Sequence, residues 1–83
     1  MFSVYAIESL TRKRIYIGYT KDINERLKRH NSGYVKATAQ DRPWTLLALK
    51  NIETNNEARW LERSLKKSRG KRIKWLNENR VET

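Results

Sequence analysis

The sequence predicts one α/β domain of the α+β kind: a small, mainly antiparallel three-stranded sheet flanked by helices, in the order ββαβαα. Three observations predict it. Three short stretches are rich in β-branched, aromatic and aliphatic residues, the pattern of strands in a small sheet. Two Asp- or Thr-led boxes, Asp22-Ile23-Asn24-Glu25 and Thr54-Asn55-Asn56-Glu57, each precede an apolar stripe at helical spacing. The chain has 83 residues, which allows one domain, 1–83, and one modest core.

The elements justify themselves in turn. Phe2 to Glu8 reads as the first strand and Arg14 to Gly18 as the second, because Val4, Tyr5, Ile7, Ile15, Tyr16 and Ile17 are β-branched or aromatic. The polar, basic Ser9-Leu10-Thr11-Arg12-Lys13 joins them as a hairpin and brings the Tyr5 and Tyr16 phenols side by side. Gly18 is expected to end the second strand, or to let the backbone come close to another group. A helix follows from Ile23 to His30, with Ile23, Leu27 and His30 on one stripe and Arg26 at its edge. Asn31-Ser32-Gly33 stops it. Tyr34 to Pro43 has no periodicity, and a loop of that length in so small a domain is often functional. It carries Tyr34, Lys36, Thr38 and Arg42. Trp44 to Lys50 is nearly continuous in apolar residues, which predicts a third strand buried on both faces. The longest helix runs from about Asn55 to Arg69, with Ala58, Leu61 and Leu65 as its stripe, Glu62 bordering it, and Gly70 ending it. A short last helix holds Ile73, Trp75 and Leu76.

Composition bounds the function. There is no Cys, so neither a disulfide framework nor Cys-ligated zinc is available. No apolar run approaches the ~18 residues of a membrane span. The N-terminus enters a strand with no signal-peptide pattern, so a cytoplasmic location is expected. Nineteen Lys and Arg against nine Asp and Glu give a net charge of +10, and a polyanion is the expected partner.

The pair Val4-Tyr5 and Tyr16-Ile17-Gly18 resembles the two half-motifs that name the GIY-YIG endonuclease superfamily. The resemblance extends over most of the chain: Tyr19-Thr20, Asp22, Arg26-Leu27, His30-Asn31, Ser32-Gly33, Arg42-Pro43-Trp44, Glu57-Ala58 and Glu62 follow in matching order. It is closest in kind to the small stand-alone bacterial branch, related to the nuclease domain of the excision-repair incision protein. Ser3-Val4-Tyr5 stands where the family has Gly-Ile-Tyr. The resemblance implies a phosphodiester hydrolase acting on DNA, with a link to DNA repair. It also implies that one of Tyr5 and Tyr16 is the general base toward water while the other orients phosphate or water, and it leaves open which is which.

The residues support this chemistry independently. Phosphodiester hydrolysis needs a deprotonated water, neutralised phosphate charge and a stabilised leaving oxygen. Two-metal chemistry needs several converging carboxylates, whereas Glu57 and Glu62 lie roughly 140° apart on a helix. With one His and no Asp-x-Asp pair, what remains is a single Mg²⁺ or Mn²⁺ held by one glutamate, water and substrate oxygens. Glu62 is the expected ligand because it borders the apolar stripe; the plainer reading is a surface pair with Lys66 four residues on. A phenol has a pKa of ~10 and needs help to act as a base near neutrality. Strand tyrosines also serve simply as packing. Arg26 suits two phosphate oxygens, or else bonds Asp22 or Glu25 on the surface. His30 positions the nucleophile or shares its proton, or else caps its helix.

Lys36 and Arg42 on the loop, with Arg63, Lys66, Lys67, Arg69, Lys71, Arg72 and Lys74 toward the C-terminus, are the expected backbone contacts; otherwise they are a solvated basic face. A domain with a radius of gyration of ~12 Å covers roughly one turn of duplex. Binding is therefore expected to follow phosphates and shape, with targeting supplied by a partner protein. The alternative is a nucleic-acid-binding module that keeps the fold without catalysis.

Overall fold

The computed structural model describes residues 1–81. Strands β1 (Phe2–Ser9) and β2 (Ile15–Thr20) lead into helix α1 (Ile23–Ser32); β3 (Trp44–Ile52), α2 (Asn55–Lys67) and α3 (Arg69–Glu78) follow. Both strand pairings are antiparallel and the sheet order is β2-β1-β3. The α+β architecture is the expected one.

The middle position of β1 decides where the core lies. Its residues from Ser3 to Ile7 are all buried, because strands flank it on both edges and helices cover both faces. The two-sided burial expected of β3 therefore belongs to β1. On β3, an edge strand, Trp44 and Ala48 are buried while Leu46, Leu47 and Leu49 are half-buried. The β1–β3 register shifts between Ala6 and Ile7, with Ala6 opposite Ala48 and Ile7 opposite Leu46, so Leu47 is the extra residue of a bulge.

Side-chain alternation splits the interior into two layers. Val4, Ala6, Ile17 and Ala48 face Ala58, Leu65, Trp75 and Leu76 of α2 and α3. On the opposite face, Tyr5, Ile7 and Trp44 pack with Tyr16 and with Ile23 and Leu27 of α1. Paired positions share a face, so Tyr5, opposite Gly18, and Tyr16, opposite Ile7, lie on the α1 side. The two phenols are diagonal neighbours there, not direct partners.

Both expected helix starts are present: Asp22 accepts from the Glu25 N–H and Thr54 from the Glu57 N–H. The ends differ from expectation. Gly18 does not end β2, which continues to Thr20. Helix α1 runs through Asn31 and Ser32 and stops at Gly33, whose φ of 85° closes it with bonds from its N–H to the Arg29 and His30 carbonyls. Helix α2 stops at Lys67, and Gly70 lies inside α3. Ser68 makes that break. Its backbone is extended, its N–H still bonds Ser64, and its side chain accepts from Lys71 N–H to open α3. One serine serves as the end of one helix and the N-cap of the next.

The loop from 34 to 43 is built, not slack. It contains a single 3-10 turn, Ala39–Asp41, and buries Thr38 and Asp41. Asp41 pairs with Arg14 at 2.5 Å and Arg12 at 3.5 Å, and its carbonyl accepts from Ser9 Oγ at 2.6 Å. At the loop's far end, Asn31 accepts from the Trp44 N–H at 2.6 Å and donates to the Trp44 carbonyl at 3.0 Å. The hairpin turn and α1 thus hold the loop at both ends.

Candidate active site

The site forms where the α1 and α2 layers meet along the exposed edge of β2. Tyr5 lies flat enough across the β1–β2 pair that a Cβ on Gly18 would fall 2.5 Å from its hydroxyl oxygen and 2.7 Å from Cζ. That close approach is what the glycine permits; its φ is not in the left-handed region. The Tyr5 and Tyr16 rings both stand edge-on to His30, with centroids 5.8 Å and 5.2 Å from it. Tyr5 is 1% exposed, whereas Tyr16 is half-buried and lines a groove.

His30 is fully buried, and each ring nitrogen has a partner: Tyr5 Oη at 2.9 Å from Nε2, and Thr38 Oγ1 at 2.8 Å from Nδ1. It is not merely a helix-end cation. Burial, and secondarily the Arg26 charge, push its pKa below the ordinary imidazole value, so the ring is neutral near pH 7. Burial pushes the Tyr5 phenol up, and the nearby Tyr16 adds to this; the Arg26 charge pulls the other way. Tyr5 therefore keeps its proton at any physiological pH.

Arg26 and Glu62 complete the group. Glu25 pairs with Arg29 at 3.7 Å, and the Arg26 charge acts on both Tyr5 and His30. Glu62, on α2, acts on the same phenol through its charge; its side chain is only 16% exposed and paired with Lys66 Nζ at 3.1 Å. The surface-pair reading of Glu62 is thus present in the structure, but the pair sits at the tyrosine cluster: Lys66 Nζ is also 5.3 Å above the Tyr16 ring. Tyr5, Tyr16 and His30 are in contact, and the charges of Arg26 and Glu62 act on Tyr5.

Which metal these residues suit follows from their donors. No group of three or more His, Cys, Asp or Glu side chains gathers among the described residues, and both His30 nitrogens are engaged. A lone carboxylate beside a groove fits a hard divalent ion, which keeps its waters and takes phosphate oxygens as further ligands.

The basic residues divide. Lys66, Arg69 and Arg72, with Lys13 of the hairpin, line an open groove of about 520 Å³ that includes Tyr16. Arg26 borders a second groove with Phe2, Tyr19, Thr20 and Lys21 on the other flank. Lys71 and Lys74 lie elsewhere, beside Trp60 and Trp75 between α2 and α3. Arg63, Lys67 and Lys36 are exposed outside these grooves. Arg42 folds back, its Nε donating to the Ala39 carbonyl at 2.6 Å and its guanidinium covering Gly33. Sequence reasoning missed the parts played by Thr38 and Lys13. Thr38 meets His30 across a loop with no periodicity, and Lys13 reaches the groove only through the hairpin's fold.

Architecture and cluster define a class: a small α+β domain whose paired strand tyrosines face a helix arginine, histidine and glutamate at one sheet edge. The family follows from comparison. Residues 1–77 match the family model of the GIY-YIG catalytic domain, and the chain belongs to that family. It is similar to a UPF0213 protein of Bacillus velezensis, 38% identical over 68 residues that cover 80% of this chain and 69% of that protein. A UPF0213 protein of Pediococcus acidilactici is 36% identical over 72 residues, 81% of this chain and 72% of that one. One of Staphylococcus saprophyticus is 38% identical over 66 residues, 77% and 80% respectively. The GIY-YIG family is one of endonucleases, generally dependent on divalent metal, so membership implies nuclease-type chemistry. No helix among the described residues is long and apolar enough to cross a membrane.

Proposed function

We propose that this domain is a metal-dependent DNA endonuclease that hydrolyses phosphodiester bonds and is directed by DNA structure more than by sequence. The observation that carries the reading is the meeting of Tyr5, Tyr16, Arg26, His30 and Glu62 at one sheet edge, beside a groove with four cations. Arg26, a donor-only fork, grips the scissile phosphate, and its bonds strengthen as negative charge develops there. Tyr16 is the phenol that meets the groove, so it takes the general-base position. Its phenolate form accepts a proton from water as the water oxygen bonds to phosphorus and the bond to the leaving oxygen breaks. Lys66 places a positive charge above that ring. Tyr5, protonated and held by His30, keeps Arg26 in place. Glu62 would hold the Mg²⁺ or Mn²⁺, which would supply charge neutralisation to the reacting phosphodiester.

The test is incubation with branched, flapped and plain duplex DNA, with Mg²⁺, Mn²⁺ or chelator. Glu62→Gln should abolish cleavage while binding and folding persist. Arg26→Ala should lower the single-turnover rate by roughly 10²–10³, the range for one lost transition-state donor, with a smaller loss of binding. Lys71→Ala, remote from the cluster, should weaken binding slightly and leave the saturated rate unchanged. Cleavage by Glu62→Gln at the parent rate would place the metal elsewhere. Equal losses of binding for Arg26→Ala and Lys71→Ala, without a rate effect, would reduce Arg26 to surface charge. A parent that binds DNA and cleaves none of these substrates would make the domain a binding module.

A further inference from the structure

We propose that Thr38 is a positioning residue: its hydroxyl oxygen holds His30 as the Nδ1–H tautomer and so sets the direction of a hydrogen-bond chain that runs from the Val35 carbonyl through His30 to Tyr5.

The direction follows from counting protons. Thr38 Oγ1 lies 2.8 Å from His30 Nδ1 and 3.3 Å from the Val35 carbonyl oxygen. A hydroxyl has one proton to give, and a carbonyl can only accept. With that proton on the Val35 side, Oγ1 accepts from His30, which puts the ring proton on Nδ1. The Nε2 lone pair then faces Tyr5 Oη at 2.9 Å, and the protonated phenol donates to it. The lone pairs of Tyr5 Oη stay free on the phenol that feels the Arg26 charge.

The opposite tautomer leaves a conflict. If Nε2 carried the proton, Nδ1 would need the one Thr38 hydroxyl proton, and the Val35 carbonyl would lose it. Thr38 is fully buried, so water offers little relief. Which nitrogen of a histidine is protonated is set by what its other nitrogen meets, and here that group is Thr38.

The position of Thr38 is fixed independently of His30. Its N–H bonds the Val35 carbonyl at 3.1 Å, and its carbonyl accepts from Asp41 N–H at 3.2 Å and Trp44 Nε1 at 2.8 Å. The threonine is fully buried. Two backbone–backbone bonds and one from the Trp44 indole hold Thr38 so that its hydroxyl meets the imidazole, from a loop that is itself pinned by Asp41. The kinetic part of this proposal rests on the catalytic reading of the cluster; the tautomer part does not.

His30 is the chain's single histidine, so long-range ¹H–¹⁵N correlation reads its ring without assignment ambiguity. The parent should show the proton on Nδ1. Thr38→Ser keeps the hydroxyl and should keep that pattern; Thr38→Val removes it and should move the proton to Nε2. At saturating DNA, Thr38→Val should lose roughly 10- to 100-fold in single-turnover rate, the scale of losing the outer partner of a functional histidine, with Kd unchanged; Thr38→Ser should stay near the parent. A parent with the proton on Nε2, or a Thr38→Val ring identical to the parent's, overturns the proposal, and the parent spectrum decides the first point even if a variant misfolds. A flipped tautomer with an undiminished rate overturns the positioning role. A parent with no cleavage overturns the catalytic reading and with it the kinetic part, while the tautomer result stands by itself.

Discussion

At His30, burial first and the Arg26 charge second disfavour the imidazolium. In the unfolded chain the same ring titrates near ~6.5; in the fold it titrates lower. Between those values the unfolded state binds more protons, so stability rises with pH. The contribution is complete above the unfolded value and is lost as pH falls toward the folded one. Thermal unfolding should therefore be flat above about pH 7 and decline below about 6.5, before the ordinary carboxylates near 4 begin to titrate. His30→Gln should remove that early decline, whatever it does to stability at pH 7. A parent whose midpoint is level from pH 7 to 5 would contradict this assignment of charge. An imidazolium also cannot accept from Tyr5, so cleavage by the folded enzyme should fall only at lower pH than the onset of the stability decline, where the folded ring itself takes the proton.

At the scale of elements, the pairing of β1 with β2 holds the clearest contrast. Gly18 and Gly70 both fall at places where an element end was expected, and neither ends an element. Gly18 is there because Tyr5 crosses it. In Gly18→Ala the new methyl would meet the Tyr5 hydroxyl at 2.5 Å, and that hydroxyl is tied to His30. Destabilisation of about 1–3 kcal/mol in denaturant titration is expected, as for other overpacked sites, together with a sharp loss of activity. Gly70, in α3 with nothing within 4 Å of a Cβ, should respond oppositely: Gly70→Ala should stabilise by up to about 1 kcal/mol through helix propensity. Equal responses of the two variants would defeat the argument. The strand and helix order was legible because β-branched runs and Asp- and Thr-led boxes are local signals. What ended each helix was less so, since Ser68 outweighed the nearby glycine by bonding in both directions. The contact of Tyr5 and Tyr16 with His30 joins residues that motif order and spacing already single out. Thr38 could not be singled out that way: its partner is eight residues away across a turn, and only the folded loop brings the hydroxyl to the ring.

The whole molecule is a body of 28 × 25 × 25 Å with a net charge of +10, and how that charge is distributed determines how it should bind. Spread evenly, nineteen cations would predict a very steep salt dependence. They are instead divided: Lys13, Lys66, Arg69 and Arg72 share one groove with Tyr16, while Lys71 and Lys74 lie in another place. If the first groove carries the DNA backbone, about four phosphates are neutralised, and log Kd should change with log salt with a slope near 0.9 per phosphate. Between 50 and 200 mM salt the affinity should then fall by roughly 10², with little variation among base sequences. Arg69→Ala, which removes one groove cation and touches none of the Tyr5 cluster, should reduce that slope by about one. Lys71→Ala should change it less. Affinity measured across a salt series for the parent and both variants is the check. A parent slope twice this value, cut equally by either substitution, would mean that the DNA spans both grooves. A slope near zero would remove counterion release from the account and leave the groove beside Tyr16 without its expected occupant.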